Sequence, residues 1–351
     1  MDDSEAQWNR MKQQLLAQAR GDEPPRVTST RTLFGIPSTG EEKMERFAAQ
    51  IEAERAERAE ARLRRREQLM EDHPVLDVAD VAALEQRIAA GGTSLGTLMQ
   101  RAGAAVAAAA CEHAEAGGHV VVLAGTGNNG GDGWVAARLL ADAGRRVMLA
   151  CPVAAADITA EPAHTEALRT EAAAGGNGAG GRGPSGSSGE IPAGSLRVLV
   201  APGAAEVATA VRDACVVIDA LLGTGFAHDT LREPIAGWVR ALGAARARSS
   251  TVRPETTAAR ATTGHTTGAA GHTSEAAGQM PCVAGGGKPY VISCDVPSGI
   301  NAQTGTAADP HVTADTTVTM LVLKPGLLTG AGGRATGELS VAELCDVGPF
   351  L

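Results

Sequence analysis

The chain has 351 residues, with 44 Gly, only 2% aromatic residues and a net charge of −9. The acidity disfavours nucleic acid as a general partner, because neutralising phosphates needs a basic surface. Six cysteines are scattered without any CxxC pair, which excludes the usual zinc and redox motifs. The polar N-terminus has no apolar signal core and no apolar run reaches membrane-span length, so a soluble cytoplasmic protein is expected.

Residues 1–74 read as an extension outside the globular body. Residues 41–70 hold eight Glu against eight Lys plus Arg with almost no apolar stripe, the composition of a solvated helix. Residues 20–40, rich in Pro, Thr and Ser, are expected to be disordered. The globular pattern starts near Val75. Asp77 can cap a helix carrying Val81, Leu84 and Ile88, and Ser94 one carrying Leu95, Leu98, Met99, Ala102 and Val106. A strand at His119–Ala124 leads through a Gly-rich turn to a helix from about Gly133 to Asp142, then to a strand at 146–150. A helix over 161–173, strands near 197–201 and 215–219, a helix between Leu231 and Leu242, and strands near 290–294 and 315–322 complete the pattern. Alternation of short apolar runs with helices predicts an α/β domain with a central, mostly parallel sheet. Residues 175–195, with nine Gly, and 249–287, rich in Thr, Ala, Gly and His, read as disordered surface insertions. His265 and His272 lie in the second and read as solvated rather than metal-bound.

Three segments carry the chemistry. Gly125-Thr-Gly-Asn-Asn-Gly-Gly-Asp-Gly133 stands between a strand and a helix, where successive N–H groups make an anion site. Its paired Asn and Asp132 are not needed for turning. Val216-Val-Ile-Asp-Ala-Leu-Leu-Gly-Thr-Gly225 places Asp219 at a strand's carboxyl end, either facing a ligand or capping a turn. Val291-Ile-Ser-Cys-Asp-Val-Pro-Ser-Gly299 repeats the device with Asp295. Three polar strand ends on one sheet edge point to one site.

These segments, with Leu84-Glu85 and Leu98-Met-Gln-Arg-Ala-Gly103 upstream and Lys324-Pro-Gly326 and Gly337-x-Leu-x-Val341 downstream, resemble the NAD(P)H-hydrate epimerase family, the YjeF N-terminal domain, from about Val75 to Val347. The resemblance implies a Rossmann-like three-layer αβα sandwich, a homodimer and a bound potassium ion. It implies interconversion of the R and S C6 epimers of hydrated NADH or NADPH (NADHX, NADPHX). It places the substrate against Asn128, Asn129, Gly130, Gly131 and Asp132, against the loop Gly223, Thr224, Gly225, Phe226, Ala227, His228 and Asp229, and against Asp295. It places the ion at Asn129, Asp219 and Ser298, whose oxygens suit a hard cation. A carboxyl group that gives a proton to the C6 hydroxyl and takes one from the returning water would catalyse both directions. Asp219 is the expected acid and base, with Asp132 and Asp295 as alternatives. Some family members carry a Lys in the loop where this chain has Phe226-Ala-His-Asp229. Many bacterial members continue into an ATP- or ADP-dependent dehydratase, so a separate dehydratase is the expected partner. A non-catalytic binding or scaffold module on the same fold is the alternative. An ordinary dinucleotide oxidoreductase is disfavoured, because Val147-Met-Leu-Ala-Cys-Pro152 ends without an acid for the ribose.

Overall fold

The computed structural model describes residues 39–176, 191–248 and 288–351. The expectations for residues 20–38, for most of 175–195 and for 249–287 lie outside the described residues.

Seven parallel strands form one sheet in the order β3-β2-β1-β4-β5-β6-β7. They are β1 His119–Ala124, β2 Arg146–Cys151, β3 Ser195–Val200, β4 Val216–Ala220, β5 Tyr290–Cys294, β6 Thr316–Met320 and β7 Glu338–Ala342. Their apolar runs read almost continuously buried, as strands covered on both faces must be. The helices are α1 Thr39–Asp72, α2 Val78–Ala90, α3 Leu95–His113, α4 Asn128–Asp142, α5 Ala163–Gly176, α6 Ala204–Arg212, α7 Ile235–Arg248 and α8 Gly330–Ala335. On one face α2 to α5 bury Leu84, Ile88, Val106, Trp134 and Leu140 against Val120, Val122 and Ile218. On the other, α6 and α7 bury Val211 and Trp238 against Val121, Val217 and Val291. The α/β three-layer expectation holds, and every strand pair described is parallel. No helix among the described residues is long and apolar enough to cross a membrane.

Two boundaries differ from the sequence reading. The helix expected from Gly133 starts at Asn128, so Asn-Asn-Gly-Gly-Asp is its first turn. Glycine lowers helix propensity, but here close approach requires it. A Cβ on Gly130 would lie 2.0 Å from the Gly125 carbonyl oxygen, and one on Gly125 would lie 1.9 Å from that of Leu221. The second difference is the expected boundary at residue 74. The last turn of α1 buries Leu69 and Met70 against Val75, Val296, Leu323, Leu327 and Leu339, so this end of the extension belongs to the body. Two apolar residues sufficed to dock a helix that lacks a longer stripe.

The sheet order reverses between β1 and β4, whose chains leave in opposite directions. Their carboxyl ends therefore open a crevice, the usual ligand position in open α/β sheets.

Candidate active site

All three motifs meet at this crevice. The turn Gly125–Gly127 leaves β1, and the Gly125 N–H donates to the Ala220 carbonyl at 2.9 Å, joining it to the end of β4. Asn128 to Asp132 then form the first turn of α4, where unpaired helix N–H groups and the helix dipole favour an anion. Gly223 packs directly on Asn129: a Cβ there would sit 3.1 Å from that of Asn129. Phe226 is buried and stands edge-on to His228, with ring centroids 5.9 Å apart. Gly225, Ala227, His228 and Asp229 form an exposed rim, and Thr224 is partly exposed.

The parallel register aligns Leu123, Asp219 and Ser293 across β1, β4 and β5. Asp219 has no exposed surface. One carboxylate oxygen accepts from the Ser293 hydroxyl at 2.8 Å and the Ser298 N–H at 2.8 Å. The other accepts from the Ser298 hydroxyl at 2.5 Å and more weakly from the Leu221 N–H at 3.4 Å. Burial pushes its pKa up, against the opposing pull of these bonds. With four protein donors and no surface, Asp219 lacks a lone pair aimed at a substrate. This geometry does not suit it to the expected acid–base role. It suits an anchor that fixes the Pro-Ser-Gly turn to β4.

Asp132 differs. It is partly exposed and, with Glu85, Asn128, Leu98, Met99 and Met320, lines a cavity of about 70 Å³ between α2, α3, α4 and β6. Among the described residues it accepts one hydrogen bond, a long one of 3.8 Å from the Cys294 thiol. Burial raises its pKa well above the usual carboxylate range, and the charges of Asp295 and Glu85 raise it further. Glu85 is raised as well, by burial and then by Asp295, while Lys324 pulls it down. Burial and the three nearby aspartates also push the Cys294 thiol up, so it stays protonated and donates.

Asp295 follows β5 with φ of 62°, and Leu321 follows β6 with φ of 64°. Each centres a three-residue turn: Val296 N–H bonds Cys294 O, and Val322 N–H bonds Met320 O, both at 2.7 Å. Such turns cost on the order of 1–3 kcal/mol and concentrate at functional sites. Here they bring Asp295 to the Met320 N–H at 3.1 Å and to Lys324 Nζ at 2.5 Å. Lys324 is 1% exposed, and its ammonium also donates to Thr319 Oγ1 at 3.0 Å and Met320 O at 2.8 Å. The site thus gathers three carboxyl groups around one ammonium. Their mutual repulsion adds to burial in raising the pKa of Asp132 and Glu85.

Sequence reasoning missed the roles of Lys324 and Glu85. A Lys closing the apolar run Val318–Leu323 was the available signal, since a buried ammonium demands a partner. The loop after β4 lacks a Lys, as expected, and the site's ammonium arrives instead from beyond β6.

The Asn129 residue is partly exposed, but its amide oxygen and nitrogen are both covered, and neither has a hydrogen-bond partner among the described residues. Buried amides are rarely orphaned, so this one is shaped for something that is not protein.

Comparison with known proteins identifies what the chain is similar to. The family model described as YjeF-related protein N-terminus matches residues 95–326. An NAD(P)H-hydrate epimerase of Clavibacter sepedonicus is 32% identical over 275 residues, 77% of this chain and 88% of that protein. The bifunctional NAD(P)H-hydrate repair enzyme Nnr of Escherichia coli is 31% identical over 72% of this chain, which spans only 36% of that longer protein. A crystal structure of the yeast protein ynu0 superposes with a TM-score of 0.50 at 20% identity, covering 76% of this chain and 86% of that one, and shares the fold.

Proposed function

We propose, on the premise that the chain belongs to the YjeF-related N-terminal family, that it is an isomerase, an NAD(P)H-hydrate epimerase that interconverts the C6 epimers of NADHX and NADPHX. The observation that carries the mechanism is Asp132, a partly exposed carboxyl with a raised pKa at the mouth of a small, mostly apolar cavity. In its protonated form Asp132 gives a proton to the C6 hydroxyl of the hydrate. The C6–O bond breaks as the neighbouring ring nitrogen supplies its lone pair, and water leaves. Water then adds to the opposite face of the planar ring and returns a proton to the Asp132 carboxylate. Leu98, Met99 and Met320 limit access of bulk water, and the α4 N-terminus with the Gly223–Asp229 rim receives the cofactor's phosphates and ribose.

A potassium ion held by Asn129, Asp219 and Ser298 is part of the reading. The Asn129 oxygen has no hydrogen-bond partner among the described residues and would be its open ligand; the Asp219 and Ser298 oxygens are already hydrogen-bonded to protein and would join it by giving up one of those bonds. When bound, the ion would supply countercharge beside Asp219. A homodimer and a separate ATP- or ADP-dependent dehydratase, acting on the epimer supplied here, complete the reading. The bifunctional relatives carry both halves of a repair enzyme by name.

The test is to add the purified chain to one separated epimer of NADHX and follow equilibration by chromatography, with and without potassium. Equilibration far above the spontaneous rate is expected, and faster with potassium. A folded protein giving no acceleration in either condition would favour a binding module instead.

A further inference from the structure

A cavity that bears a concentrated charge lies at the other end of the sheet. A cleft of about 510 Å³ is walled by Arg58, Arg62, Arg65 and Arg66 of α1, by Arg246 of α7 and by Arg334 of α8. Asp315 and Glu338, which lead into β6 and β7, lie on its floor. The four α1 arginines are spaced i, i+4, i+7 and i+8, which puts them on one helix face. Arg64, off that face, instead pairs with Glu60 at 3.2 Å, both side chains 67% exposed. The burial of Leu69 and Met70 turns the arginine face toward the body.

Part of the wall is fixed. Arg246 clamps Asp315 through two bonds of 2.6 and 2.7 Å, and Asp315 also accepts the Val291 N–H at 2.8 Å. Arg66 is held by Gly333 O and by Thr336 Oγ1. Asp315 is therefore consumed by Arg246. Arg58, Arg62 and Arg65 are exposed, and no carboxylate among the described residues pairs with them. Arg58, Arg62 and Arg65, on a chain of net charge −9, make this concavity locally positive. Its volume lies in the range of small-molecule sites. No aromatic side chain lines it, so it has no platform on which bases of a nucleic acid could stack. Arginine forks match phosphate oxygens two at a time.

We propose that this cleft binds a small molecule through two or more linked phosphate groups. The site is separate from the crevice that holds Asp132. Asp315 precedes β6 and Met320 ends it, and a five-residue strand places the two about 16 Å apart. The inference does not depend on the epimerase reading.

The experiment is calorimetric titration of the full chain with tripolyphosphate, and in parallel with ATP, at about 0.1 M salt. Binding is expected, weakening as salt rises. Equal affinity for the two would mean that the phosphates alone are read, and tighter ATP binding that the nucleoside adds contacts; both support the site. The triple variant Arg58→Ala, Arg62→Ala, Arg65→Ala should lose about tenfold or more in affinity, with an unchanged circular dichroism spectrum. Arg62→Glu should also weaken binding, and Asp132→Asn should not. No binding by the wild-type chain, or a triple variant that binds as tightly, overturns the proposal. Single-stranded RNA or anionic vesicles binding more tightly than tripolyphosphate through the same arginines would overturn the small-molecule assignment.

Discussion

Asp219, in the pocket closed by Ser293 and Ser298, and Asp132, in the cavity beneath α3, are the same group under opposite conditions. Burial raises the pKa of both. Asp219 has four donors and no surface; Asp132 has one distant thiol and an open side. Burial alone therefore does not mark a catalytic carboxyl. What separates a structural carboxylate from a proton carrier is whether any lone pair remains for the substrate.

The sharpest way to break the comparison is Asp132→Asn. It should lower kcat by about 100- to 10,000-fold, the usual contribution of a general acid, while the protein stays folded by circular dichroism. Next comes the ammonium that holds the Asp132 neighbourhood together. Lys324→Met leaves the partly buried Asp295 without its ammonium partner and should cost about 3 kcal/mol in denaturant unfolding; a loss near zero would mean that Asp295 is held without it. Asp219→Asn removes acceptors from Ser293 and Ser298 and should cost about 1–3 kcal/mol. Where both variants are folded, its kcat should fall less than that of Asp132→Asn. An equal or larger fall would return the acid–base role to Asp219.

The smallest effect concerns stability and pH. The folded-state pKa of Asp132 lies above its unfolded value, so its contribution is most favourable at low pH. That contribution is lost as pH rises from the unfolded value, about 3.9, through the raised one. Asp132→Asn should therefore melt close to wild type at pH 4 and a few degrees higher at pH 8. Scanning calorimetry at the two pH values checks the sign.

The strands and their polar ends were legible because each apolar run stops at a residue that an apolar strand would not otherwise need, Asp219 or Asp295. The start of α4 was not. A Gly-rich string reads as a turn until the neighbours requiring its glycines, Gly125 and Leu221, are in place. Nor could local pattern assign the roles of the carboxylates. The donors that saturate Asp219 lie 74 and 79 residues away, and the ammonium facing Asp295 lies 29 residues away. The arginine cleft was invisible for a similar reason: its wall faces the body only because Leu69 and Met70 dock.

The most direct test of the central claim is the pH dependence of kcat/KM for epimerisation, after subtraction of the spontaneous rate. With Asp132 acting first as an acid, kcat/KM should fall as pH rises through its elevated pKa, and this limb should vanish in Asp132→Asn. A rate that rises with pH over that range, or the same limb persisting in the variant, would contradict the account.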